Sequence, residues 1–456
     1  EEASMHAVGI ICEYNPFHHG HAHQLAAAKA DSGADVTIAV MSEYLTQRGE
    51  PAIADPYTRA RAAVACGADL VVGLPFPYSA APAEFFALAG VRILHAMGAE
   101  ALHFGSECAD IPRMREAARF LYDPALISAC GAWLDAHPDN GILDARTAVC
   151  RELGLPAVPG GSNDLLGMAY LHAVDQVAPE MAVMTTRRIG AAYGCTALSA
   201  DGSADEPAAG VTDESARSAT GKPATTTANE SAKDTVDEPA AGTASESARQ
   251  FPDSATALRE SWLRDGLSSL RGRIPTAGYA ELCRAVERRL APVRPDALGQ
   301  ALLSHYRLAD PRALAAYAGL DGGVAERLCA AARKADSYAA MLSLAATKRY
   351  THARLRRALW YGVCQVSGDL LASSPAYVRL LAANRTGRAY LSALRKTCPL
   401  PILTKPSRLP NFPDAIRQHK AEERMESLYA LALPAPASAD IFAKASPFIA
   451  REGSRR

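Results

Sequence analysis

No run of 18 apolar residues occurs in the 456-residue chain, and mean hydropathy is -0.06, so no segment reads as a membrane span. Ten cysteines are scattered from Cys12 to Cys398 without a single C-x-x-C pair. That speaks against a zinc ribbon or a disulfide framework, and a reducing, cytoplasmic setting is expected. Glu1 to Met5 carry neither a basic nor an apolar leader region. No secretory signal is expected there, and Met5 is the expected native start. From Ala200 to Gln250 the chain lacks aromatics, Leu, Ile and Met, with Val211 and Val236 its only large aliphatics. Such a stretch cannot bury enough apolar surface to offset the entropy of ordering it, so residues 200–250 are expected to be a disordered insertion. Its hexamer Asp-Glu-Pro-Ala-Ala-Gly at 205–210 recurs at 237–242, as slippage would leave it.

What remains is rich enough to fold. Hydrophobic residues make up 49% and charged residues 21%, and the length suits two or three domains. The formal net charge of -1 hides an asymmetry. Residues 1–200 hold 12 Lys/Arg against 22 Asp/Glu, 201–250 hold 4 against 10, and 251–456 hold 32 against 17. The basic last part points to a polyanionic partner, most commonly nucleic acid.

Before the insertion, short apolar runs alternate with helical patterns. Strands are expected at 6–12, 36–41, 69–74, 101–104 and 181–186, with helices at 19–30, 56–66 and 82–97. That alternation predicts an α/β fold, a Rossmann-like doubly wound parallel sheet with ligands at the carboxyl ends of its strands. After the insertion, helical spacing dominates at 255–266, 276–290, 295–306, 324–337, 352–366 and 375–383. The expected organisation is an α/β domain at 5–199, the insertion, and a mostly α-helical basic domain at 251–450.

Glu13-Tyr-Asn-Pro-Phe-His-His-Gly-His21 follows the first strand and opens the first helix. A Pro-Phe turn followed by His-x-Gly-His gathers two imidazoles, His18 and His21, and free N–H groups at a helix N-terminus. That arrangement suits a nucleotide phosphate, with histidine donors for a phosphorus centre gaining negative charge. Metal binding and satisfied core histidines are the competing readings. No carboxylate or Cys stands at ligand spacing from His18 and His21, so no metal site is assigned.

The chain resembles the bacterial tRNA(Met) cytidine acetate ligases, of the nucleotidyltransferase superfamily marked by H-x-G-H. The likeness rests on 9–21, Gln47-Arg-Gly-Glu-Pro-Ala52, Asp69–Val72 with Leu74-Pro75, Phe104-Gly-Ser-Glu107, Ser162-Asn-Asp164, Arg188-Ile-Gly190 with Tyr193, and Ser254–Arg259. Thr347-Lys-Arg349 and Arg354-Leu-Arg-Arg357 extend it into the basic half. The resemblance implies a nucleotidyltransferase-type fold and a ligase that forms acetyl-adenylate from ATP and acetate. The acetyl group would then pass to N4 of the wobble cytidine (C34) of elongator tRNA(Met). It places ATP against Ile11, Cys12, Glu13, Tyr14, Asn15, Pro16, Phe17, His18, His19, Gly20, His21 and Gln24, with Gly105, Asn163, Arg187 and Arg188 as further contacts. His18 and His21 would be catalytic, and Mg2+ would accompany ATP.

Other readings stand beside these assignments. Gly105 reads equally as a plain turn, Ser162–Asp164 as a helix N-cap, and Arg187 and Arg188 as surface arginines or phosphate forks. Arg48 is a candidate for triphosphate or acetate, and Ser254 or Thr256 for a cap with Arg259 near phosphate. The chain departs from the family pattern at Glu43, Pro56 and Gly73, all around the expected pocket. Lys348, Arg349, Arg354, Arg356 and Arg357 are the expected tRNA contacts, against a solvated helix face, while Trp360 and Tyr361 read as core. No stable protein partner is expected. Two rivals use the same residues: a small-molecule adenylyltransferase acting on a phosphorylated metabolite, and a degenerate nucleotide-binding fold that only holds RNA.

Overall fold

The computed structural model describes residues 5–188, 254–405 and 408–450; the expected insertion at 200–250 lies outside them, as do Gly190 and Tyr193. Five parallel strands come from the first half: β1 (Ala7–Cys12), β2 (Val36–Ser42), β3 (Leu70–Leu74), β4 (Ala101–Ser106) and β5 (Ala182–Arg187). The second half adds β6 (Val378–Ala383), β7 (Ile402–Leu403) and β8 (Phe448–Ile449). Strand order is β5-β4-β1-β2-β3-β6-β7, with β8 also on β6, and only the β3–β6 pair is antiparallel. The first three strands are buried along their whole length, as continuous apolar runs covered on both faces should be.

The crossover helices are α1 (His19–Ser32), α2 (Pro56–Ala65) and α3 (Ala83–Ala96). Then come α4 (Ile111–Leu121), α5 (Pro124–Ala136), α6 (Ile142–Glu152) and α7 (Ser162–Val177). Right-handed crossovers set α1 and α2 on one face, and α3 and α7, which pack together, on the other. Order reverses at β1: β2 and β3 lie to one side, β4 and β5 to the other. β1 pairs with β2 through six residues, yet its ladder with β4 holds only Val8↔Ala101 and Gly9↔Leu102. The two strands therefore part toward their carboxyl ends, at the switch point where open α/β sheets bind ligands.

Past the insertion, α8 (Ala255–Asp265) and α9 (Thr276–Glu287) enclose a small core of Leu258, Trp262, Ile274 and Leu282 against Ile53 and Ala54. Further helices follow, among them His352–Cys364, Arg385–Leu394 and Pro413–Leu431. The helix expected at 375–383 is a correction: Val378–Ala383 is β6, buried throughout and paired with β3, β7 and β8. Pairing along both edges overrides the helical preference of its Leu and Ala residues. Among the described residues no helix is long and apolar enough to cross a membrane.

Candidate active site

The loop after β1 turns at Tyr14, which has φ +46°, and delivers His18 as the N-cap of α1. His18 Nδ1 accepts from Gly20 N–H at 3.1 Å, and His21 Nδ1 accepts from His18 N–H at 3.3 Å. This is a capping box built from two imidazoles, satisfying helix N–H groups reciprocally. Each ring thus turns its Nδ1 to the backbone of the helix start. The rings stack with centroids 3.7 Å apart, and Tyr14 packs edge-on to His21 at 4.9 Å. Burial, then the neighbouring His18 and the charge of Arg188, hold the His21 pKa well below the ordinary imidazole value. A His21 ring held neutral at a helix N-terminus can still donate to a phosphate oxygen.

Two arginines fasten this loop through its carbonyls. Arg59, 1% exposed on α2, donates to the carbonyls of Ala54 (2.9 Å), Glu13 (2.6 Å) and Glu43. Arg259 on α8 donates to Asn15 O at 2.9 Å and to Thr256 Oγ1 at 3.2 Å. Ser254 caps α8 by accepting from Ala257 N–H at 3.2 Å. Glu13 accepts from Gln47 N–H at 2.8 Å, and Asn15 Oδ1 from Ile53 N–H at 2.8 Å. Burial pushes the Glu13 carboxyl above its usual range. The sequence did not single out Arg59; an arginine inside a helix carries no local sign that the carbonyls of Glu13 and Glu43 will close on it.

The facing wall comes from the ends of β4 and β5 and the start of α7. Asp164 Oδ1 accepts from Ser106 Oγ (2.5 Å), Glu107 N–H (2.9 Å) and Cys108 N–H (3.1 Å). Burial raises its pKa, but these donors outweigh it and hold the carboxyl below the usual range. Glu107 in turn accepts from the N–H groups of Asn163 (3.3 Å) and Asp164 (2.9 Å) and from Asn163 Nδ2 (2.5 Å). The α7 cap is thus supplied by Glu107, the residue after β4, where the sequence suggested Ser162–Asp164. Arg188 Nη1 donates to Asn163 Oδ1 at 2.9 Å, and its Cγ lies 3.3 Å from where a Cβ on Gly105 would stand. Gly105, Asn163 and Arg188 therefore form one contact group, whose charge reaches His21. Arg187 instead donates to Cys108 O at 3.1 Å.

The expected tRNA contacts divide. Lys348 is exposed, Arg349 meets Asp135 at 3.3 Å, and Arg354 lies 4.8 Å over the Tyr350 ring. Arg356 pairs with Glu50 at 2.9 Å, and Arg357 donates to Gln47 O at 3.3 Å. Trp360, buried as its core reading expects, donates to Gly49 O at 2.8 Å. A Cβ on Gly49 would stand 2.9 Å from Arg356 Cβ. Helix His352–Cys364 thus clamps the 47–50 loop, which holds Glu13.

Two of the departures from the family pattern meet. A Cβ on Gly73 would overlap the carboxylate of Glu43; the Glu43 side chain fills the space that a side chain at 73 would need. Glu43, Glu422 and Glu426 surround Arg379, with Glu43 at 3.6 Å and Glu422 at 2.6 Å. Burial, offset in part by Arg379, pushes the Glu43 carboxyl up to about 8. Among the described residues these three are the one acidic or His/Cys group close enough to share an ion, but the guanidinium already sits among them, so the trio does not fit a resident metal.

A family model for HIGH Nucleotidyl Transferase matches residues 5–214 and 224–441. The tRNA(Met) cytidine acetate ligase of Syntrophotalea carbinolica is 33% identical over 89% of this chain and 86% of its own. The tRNA(Met) cytidine acetate ligase of Geobacillus sp. is 30% identical over 96% of this chain and 97% of its own. The crystal structure of Thermotoga maritima TmcAL bound with alpha-thio ATP superposes with a TM-score of 0.78 at 25% identity, covering 98% of this chain and 100% of that one. Together with the imidazole capping box at the switch point, these likenesses place the chain in the tRNA(Met) cytidine acetate ligase family of HIGH nucleotidyl transferases.

Proposed function

We propose that the protein joins acetate to the wobble cytidine of elongator tRNA(Met) at the expense of ATP, in the cytoplasm. An acetate oxygen attacks the α-phosphorus and pyrophosphate leaves; the cytidine N4 then attacks the acetyl carbonyl, loses a proton and expels AMP. The observation that carries this reading is the pair of stacked imidazoles, each turned to the backbone through Nδ1, at the N-terminus of α1. In this reading His18 and His21 donate to phosphate oxygens as charge builds on them, and no covalent enzyme intermediate is required. The 11–21 segment and Gln24 wrap the nucleotide, and Gly105, Asn163 and Arg188 close the other side. Arg187, turned to Cys108 O, supports that wall. Magnesium enters bound to the ATP phosphates, as part of the substrate.

Lys348, Arg349 and Arg354 are the outward part of the tRNA contact in this account. Arg356 and Arg357 act through the 47–50 loop, linking the RNA-facing helix to Glu13. The test is pyrophosphate exchange into ATP with acetate alone, followed by nucleoside mass spectrometry of tRNA. Exchange dependent on acetate supports the reading. Exchange driven by a phosphorylated metabolite and not by acetate overturns it in favour of a small-molecule adenylyltransferase.

A further inference from the structure

A second gathering of arginines lies away from the histidines. A cleft of about 1650 Å³ opens between α2, α9, helix Arg385–Leu394 and β8, and Arg61, Arg284, Arg288, Arg385 and Arg388 line it. Its acidic lining residues are Glu281 and Glu287 alone. Glu281 is committed, to Arg61 at 3.0 Å and to Arg284. Arg288 and Arg388 are exposed and make no ion pair among the described residues.

Topology fixes where this cleft stands. β6 runs antiparallel to β3 with Leu70 opposite Ala383, so Asn384 and Arg385 sit past the amino end of β3. His18 and His21 follow the carboxyl end of β1, which runs parallel to β3 through β2. The two places are at opposite ends of the sheet, separated by roughly 15–20 Å of strand at ~3.3 Å per residue. A small ligand in the histidine site cannot reach the cleft; a polymer can. The volume exceeds that of an ordinary small-molecule pocket, roughly 300–1,000 Å³. The lining offers guanidinium forks among small residues such as Ala65, Gly67 and Ala389, with Phe448 its one aromatic. That combination suits backbone phosphates and not a selective base pocket.

We propose that this cleft seats backbone phosphates of the substrate tRNA remote from the reacting base, with Arg288 and Arg388 as phosphate ligands. The proposal rests on the tRNA reading above and adds a second anchoring point to it. Each lost phosphate contact removes close to one unit from the slope of log affinity against log salt.

The experiment measures binding of total tRNA between 50 and 200 mM salt for the wild type, for Arg288→Glu with Arg388→Glu, and for the milder Arg288→Gln with Arg388→Gln. Acetate-driven pyrophosphate exchange without tRNA and the melting midpoint report separately on the histidine site and the fold. The charge reversal is expected to weaken tRNA binding about tenfold or more and to flatten the salt slope by roughly one to two units, with a smaller loss for the glutamines. Unchanged affinity and slope in both variants overturn the cleft and leave the ligase reading standing. A wild type that binds no tRNA at 50 mM salt overturns the cleft and the tRNA reading together, whatever the exchange assay shows.

Discussion

The two ends of the sheet solve opposite problems. At the carboxyl end, Arg59 and Arg259 spend guanidinium donors on the carbonyls of the histidine loop, and burial holds the His21 pKa well below the ordinary imidazole value. At the amino end, Arg288 and Arg388 keep their charge facing solvent. Fixed, buried dipoles are already organised before a reaction begins and feel little of the surrounding salt. Mobile surface charges steer and anchor a polyanion and are screened readily. The lesson is that arginine count alone does not locate a nucleic-acid surface: several arginines of this chain are fasteners. Arg379 is the extreme case, buried among three carboxylates.

The sharpest way to break this contrast is His21→Ala. Acetate-driven exchange is expected to fall about 10²–10³-fold, the loss typical of one charge-stabilising donor, with tRNA affinity and its salt slope unmoved. Next in size is Gly73→Glu, which forces a side chain into the space of Glu43 and adds a buried carboxylate. Chemical denaturation should record about 3 kcal/mol of lost stability, with most of it regained when Glu43→Gly is added. Persistence of the full loss in the double variant would show that the two positions do not share one space.

Asp164→Asn tests the opposite wall. Replacing a carboxylate that accepts three hydrogen bonds should cost about 2 kcal/mol at pH 7. Because the folded pKa of Asp164 lies below its unfolded value, its contribution is present above the unfolded pKa and is lost as pH falls through the folded one. The gap between wild type and variant should therefore close in acid, as melting midpoints at pH 3 and 7 would reveal. At pH 5, where the amide stands in for the protonated carboxyl, the smallest effect is expected for Glu43→Gln. With the folded pKa pushed up to about 8, the stabilisation tied to the Glu43 proton is complete below the unfolded pKa and lost as pH rises through about 8. The variant should lose less stability than the wild type between pH 5 and 9.

Strands β1 to β5 could be read in the sequence because each is a short apolar run bounded by polar residues, and periodicity needs no distant information. The histidine loop was legible for a similar reason: its residues are contiguous, and a helix N-terminus is a local feature. What was hidden depends on partners far along the chain. Val378–Ala383 looks helical in isolation, and Arg379 looks like a surface charge until Glu422 and Glu426 are brought against it. Glu107 capping α7, and Arg59 closing on the carbonyls of Glu13 and Glu43, are likewise long-range. Helices α4 and α5 do carry a local signal, since Asp110 and Asp123, each just ahead of a proline, cap them. The meeting of Glu43 with Gly73 needed the β2–β3 register, which sets Ser42 beside Leu74.

The most direct test of the central claim is nucleoside mass spectrometry on tRNA incubated with the protein, ATP, magnesium and labelled acetate, with His21→Ala in parallel. The account predicts labelled N4-acetylcytidine that requires ATP and nearly vanishes in the variant. Folded wild-type protein that yields neither acetylcytidine nor acetate-driven pyrophosphate exchange, or a variant that acetylates as well as the wild type, would contradict it.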